Sequence, residues 1–77
     1  MRSGETLTLQ AARGSTVSAI PLSTAVTGIT YEGLEYPLQD ATLTIGSTRG
    51  ISNVVASAPA VITIREGVLL VVCVIEQ

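Results

Sequence analysis

Histidine, lysine, phenylalanine and tryptophan are all missing from this 77-residue chain, and cysteine occurs once. Without histidine there is no Ser–His or Cys–His pair to activate a nucleophile. A single cysteine excludes an internal disulfide framework and any Cys/His zinc site. Four arginines against six acids leave a net charge of −2 and no basic patch, so nucleic acid is not an expected partner. The longest apolar run, Val68 to Ile75, has eight residues, whereas a membrane helix needs ~20. The first five residues, Met1-Arg2-Ser3-Gly4-Glu5, contain no apolar signal region. No membrane partner and a cytoplasmic location are the resulting expectations.

What remains is aliphatic. Hydrophobic residues make up 47% of the chain, and only Tyr31 and Tyr36 are aromatic. Val, Ile and Thr are stiff at χ1 and pack well on a pleated surface, so this composition favours strands over helices. Glycines at 4, 14, 28, 33, 46, 50 and 67 and prolines at 21, 37 and 59 interrupt the chain. No stretch between them carries a helix-length apolar period, and the pattern is that of many short strands. The expected fold is all-β: one domain over residues 1–77, an antiparallel β-sandwich or flattened jelly-roll-like barrel of seven to eight short strands. The expected strands are Thr6–Gln10, Thr16–Leu22, Val26–Tyr31, Leu34–Leu38, Thr42–Ile45, Ser52–Ala56, Ala60–Ile64 and Val68–Ile75. Leu34, Tyr36 and Leu38 share one face of the fourth. Leu43 and Ile45 point inward from the fifth. Asp40 begins a turn, and Arg65-Glu66-Gly67 reads as a hairpin turn. The last strand is apolar on both faces, which suits a central, doubly covered position. Cys73 lies within it and reads as a small buried hydrophobe. A domain of this size buries only roughly 60–65% of its unfolded surface, so help from a second domain or subunit is expected.

Candidate catalysts are few. Glu5, Glu32, Glu35, Asp40, Glu66 and Glu76 fall mostly in turns or on outward strand positions, with no spacing that pairs an acid with a base. No glycine-rich phosphate loop precedes a helix. The chain reads as a binding or interaction module. Its unusual segment is Gly46-Ser47-Thr48-Arg49-Gly50-Ile51-Ser52-Asn53, which sets hydroxyls, an amide and an arginine between two apolar strands. Such a segment serves either as a solvated turn or as convergent hydrogen-bonding groups at the mouth of a β-barrel, where ligands often bind. Asn53 offers a donor and an acceptor together, as an aminopyrimidine edge requires.

Several runs in order carry a resemblance: Ser18-Ala19-Ile20-Pro21-Leu22, Thr27-Gly28-Ile29-Thr30, Glu32-Gly33-Leu34-Glu35-Tyr36-Pro37-Leu38, Leu43-Thr44-Ile45 leading into Gly46 to Asn53, and Glu66-Gly67-Val68-Leu69-Leu70-Val71-Val72. Together, from about Ser18 to Val74, they resemble the C-terminal domain of bacterial thiamine pyrophosphokinases. The resemblance implies a part in diphosphoryl transfer from ATP to the hydroxyethyl group of thiamine. It further implies an N-terminal α/β domain, absent from these residues, that holds ATP and magnesium, so this chain alone is expected to bind no cofactor and to be inactive. Thiamine and a second copy of the chain, as a homodimer, are the implied partners. Residue by residue, the resemblance gives Ser52 and Asn53 hydrogen bonds to the aminopyrimidine ring and Tyr36 a stacking contact, where some relatives have tryptophan. Arg49 and Ser47 are placed for a phosphate or inter-subunit contact. The alternative is a stand-alone β module that binds another ligand or mediates assembly without catalysis.

Overall fold

The computed structural model of the chain describes residues 1–45 and 51–75. It contains seven strands: β1 (Thr6–Leu9), β2 (Thr16–Pro21), β3 (Ala25–Glu32), β4 (Leu38–Thr44), β5 (Ile51–Val54), β6 (Ala60–Thr63) and β7 (Leu69–Val74). No helix occurs among the described residues, so none is long and apolar enough to cross a membrane. The strands form two antiparallel sheets, one of four strands in the order β1-β6-β3-β4 and one of three in the order β5-β2-β7. The fold is the expected all-β sandwich.

Strand alternation builds the core. The four-stranded sheet buries Val26, Ile29, Tyr31, Ala60 and Ile62, and the three-stranded sheet buries Val17, Ala19 and Leu69. Leu34, Val55 and Ile64, just outside the strands, close the gap between the sheets. Cys73 is half-buried, on the side of β7 that packs against this cluster. Small branched side chains fill the space, and Tyr31 is the one aromatic ring among the buried residues described.

The β3–β4 pair contains two opposed irregularities. Between the pairs Val26–Leu43 and Ile29–Ala41, β3 has one extra residue. Between Ile29–Ala41 and Tyr31–Leu38, β4 has one extra. Each step is a β-bulge, and the second restores the register lost at the first. Gly28 sits in the first at φ +64°, and Asp40 in the second at φ +50°. An added Cβ on Gly28 would lie 2.5 Å from the Arg65 Cβ, so glycine is required by both conformation and space. Arg65 packs over Gly28 and reaches Asp40 in an ion pair of 3.1 Å, one side chain touching both bulges. Asp40 therefore lies within a strand rather than starting a turn.

Five further expectations are corrected. Leu34–Leu38 is not a strand: Leu34 makes an isolated bridge to Val55, and β4 begins only at Leu38. Leu34 is buried while Tyr36 is exposed, so the two do not share a core-facing side. Ile45 lies past the end of β4 and is exposed rather than inward. Arg65-Glu66-Gly67 is not a hairpin turn, because β6 and β7 belong to different sheets. The segment is a crossing held by backbone bonds between Thr27 and residues 65 and 66. Finally, β7 is an edge strand whose outward residues Leu70, Val72 and Val74 are exposed. Its two-sided hydrophobicity comes from a covered inner face and an open outer one.

Candidate functional site

The segment Gly33 to Tyr36 runs beside residues 53 to 57. Ala56 and Ser57 donate their N–H groups to the Gly33 carbonyl at 2.8 and 3.1 Å, and Glu35 donates to the Val54 carbonyl at 2.9 Å. Gly33 has φ +79°, and a Cβ there would meet the Ser57 carbonyl oxygen at 2.5 Å, so this docking needs glycine. The next residue, Tyr36, finds its partners in a side chain. Its N–H donates to Asn53 Oδ1 at 3.0 Å, and its carbonyl accepts from Asn53 Nδ2 at 2.8 Å. Oδ1 also accepts the Val54 N–H at 3.0 Å.

A side-chain amide carries the same donor and acceptor as a peptide group. Asn53 thus continues the ladder where main chain no longer can, and Pro37, with no N–H, ends it. The partners also fix the amide's orientation, since the flipped form would set N–H against N–H. Asn53 is only 2% exposed, whereas Tyr36 is 66% exposed. A buried polar clamp thereby holds an aromatic residue out at the surface.

Of the residues singled out in the sequence, Tyr36 and Asn53 are brought together. Ser52 is not brought onto the same side. In a strand successive side chains face opposite ways, so Asn53 points inward and Ser52 outward. Ser52 is exposed, in register with Ser18, which is itself in register with Val72. Ser47 and Arg49 lie outside the described residues. A direct bond from Asn53 to an aminopyrimidine would draw on its remaining Nδ2 hydrogen or displace Tyr36.

Sequence reasoning missed a groove of about 440 Å³ lined by Thr30, Tyr31, Glu32, Pro37, Leu38 and Gln39. It opens between the end of β3 and the start of β4, and Pro37 ties it to the clamped segment. Its volume is in the range of small-molecule sites, and Glu32 is its ionisable acid. Burial pushes the Tyr31 phenol above its ordinary 10.0, and its hydroxyl has no hydrogen-bond partner among the described residues. The groove was not legible in the sequence, because it depends on Leu34–Leu38 failing to form a strand.

Magnesium is the metal the sequence resemblance implies for the complete enzyme. Among the described residues no three His, Cys, Asp or Glu side chains cluster as a metal site would require. The described residues therefore do not fit that ion.

Residues 5–69 match the family described as "Thiamin pyrophosphokinase, vitamin B1 binding domain". No curated protein matches the sequence. Among solved structures, thiamin pyrophosphokinase from Geobacillus thermodenitrificans superposes with a TM-score of 0.85 at 29% identity, over 97% of this chain and 35% of that one. Thiamine pyrophosphokinase from Bacillus subtilis gives 0.82 at 24% identity, over 97% and 36%, and bears on the fold alone. The chain therefore spans about a third of the length of the solved structures it matches.

Proposed function

Because the chain belongs to the thiamin pyrophosphokinase vitamin B1 binding domain family, we propose that it forms the thiamine-recognition part of an enzyme that moves diphosphate from ATP to the thiamine hydroxyl. Phosphoryl-type transfer depends on positioning and on neutralising charge. In this reading the chain supplies positioning, and an α/β domain outside it supplies the ATP and magnesium sites. The enzyme acts as a cytoplasmic homodimer.

The observation that carries this reading is the Asn53 clamp, which holds an exposed aromatic residue directly before Pro37, itself in the wall of a groove of ligand size. Tyr36 offers a face on which a cationic or electron-poor ring can stack. Glu32, in the groove wall, offers negative charge suited to a thiazolium ring. Ser52 offers a hydroxyl from the outer face of β5, and Ser47 and Arg49 a phosphate or inter-subunit contact.

Calorimetric titration of the chain with thiamine tests this reading. Saturable binding is expected, weakened roughly three- to tenfold in Tyr36→Ala, as the loss of an aromatic contact implies. Binding that is indifferent to Tyr36→Ala would contradict the placement.

A further inference from the structure

We infer that Asn53 serves the thiamine site as a positioning residue, acting through the backbone of Tyr36 rather than by touching the ligand. The inference rests on the functional reading above and gives the Asn53 amide a different task within it. Oδ1 already accepts two N–H groups, from Tyr36 and Val54, and Nδ2 donates to the Tyr36 carbonyl. The side chain is buried and faces inward, while the ring it governs is exposed. Tyr36 is followed by Pro37 and precedes the start of β4, so it lies beyond the regular ladder on either side. Gly33 and Glu35 are fixed by backbone bonds to residues 54, 56 and 57, whereas the described hydrogen bonds of Tyr36 both go to Asn53. Without the amide the last residue of the docked segment loses both anchors, and the ring loses a fixed direction. A stacking surface binds well only when its orientation is settled before the ligand arrives.

Hydrogen exchange and thiamine titration, followed together by NMR, test the assignment. In the unsubstituted chain the Tyr36 amide should exchange at least tenfold more slowly than a free amide and remain protected when thiamine saturates. Loss of that protection on saturation would mean that the Asn53 amide passes to the ligand, and the inference fails. In Asn53→Ala the Tyr36 amide should exchange at least tenfold faster, while the Glu35 amide, bonded to the Val54 carbonyl, keeps its protection. Thiamine should bind about tenfold more weakly in Asn53→Ala, yet no more weakly in Asn53→Ala/Tyr36→Ala than in Tyr36→Ala alone. An equal loss in both backgrounds assigns Asn53 a direct contact and overturns the proposal. A chain that binds no thiamine but releases Tyr36 on substitution overturns the functional reading and leaves the clamp standing. Should Asn53→Ala not fold, the exchange comparison in the unsubstituted chain still decides.

Discussion

The Asn53 side chain spends its hydrogen-bonding groups inside the sandwich, on the backbone of Tyr36 and Val54. Tyr31 is the converse case, a phenol buried at 3% exposure whose oxygen has no partner among the described residues. An unsatisfied buried hydroxyl costs ~1–3 kcal/mol. Tyr31→Phe removes it with little change of shape and should raise the melting temperature by about 4 °C or more, at roughly 4–8 °C per kcal/mol for a small domain. The pH dependence follows from the same burial. The folded phenol titrates above 10.0, so the unfolded chain gives up its proton first. Stability is complete below the unfolded value and falls as pH rises past it through the folded value. Tyr31→Phe should flatten that alkaline loss, and a melt series from pH 7 to 11 reads both effects. A lower melting temperature at pH 7 would show that the hydroxyl is bonded after all. At this scale the sequence was informative about type more than role. Asn53 stood out as an amide among aliphatics, but its inward direction depends on the register of β5 with β2, which no local pattern reveals.

Among the elements, strand positions were legible wherever alternation was clean. Ala60–Ile64 shows this, since Ile62 and Ile64 are fully buried as their spacing requires. The reading failed where period and pairing diverge. Leu34, Tyr36 and Leu38 alternate like a strand, yet Gly33, Pro37 and the Asn53 clamp turn the segment into a docked loop. For β7 the apolar run was plain, but its place at a sheet edge was not, because two covered faces and one open apolar face look alike in sequence. That open face carries Leu70, Val72 and Val74 on β7, with Ile20 opposite Leu70 on β2, exposed by 43, 43, 63 and 41%. Contiguous apolar surface on a small domain marks an interaction site, and the proposed homodimer would cover it through a two-fold axis. Sedimentation at micromolar concentration should show a dimer. Val72→Glu, which puts a charge at the centre of the face, should return it to monomer with the melting curve little changed. A monomeric parent chain would remove this face from the dimer proposal.

For the whole molecule, the sandwich works as a mount. Two sheets of short aliphatic strands fix the end of β3, the start of β4 and the inward edge of β5, and the Tyr36 segment is held where these meet. The fold class was legible in the absence of helical periods and the density of glycine and proline. The groove was not, because it opens where Leu34 to Pro37 docks as a loop instead of pairing as a strand between β3 and β4. Thiamine is proposed to lie against this end of the sandwich, and amide chemical-shift mapping during a thiamine titration tests that most directly. Saturable shifts are expected to concentrate at Tyr36, Leu38 and Glu32, with residues near the opposite end, such as Ser3 and Gly67, unmoved. Shifts confined to Ser3, Gly67 and their neighbours, or no shifts up to millimolar thiamine, would contradict it.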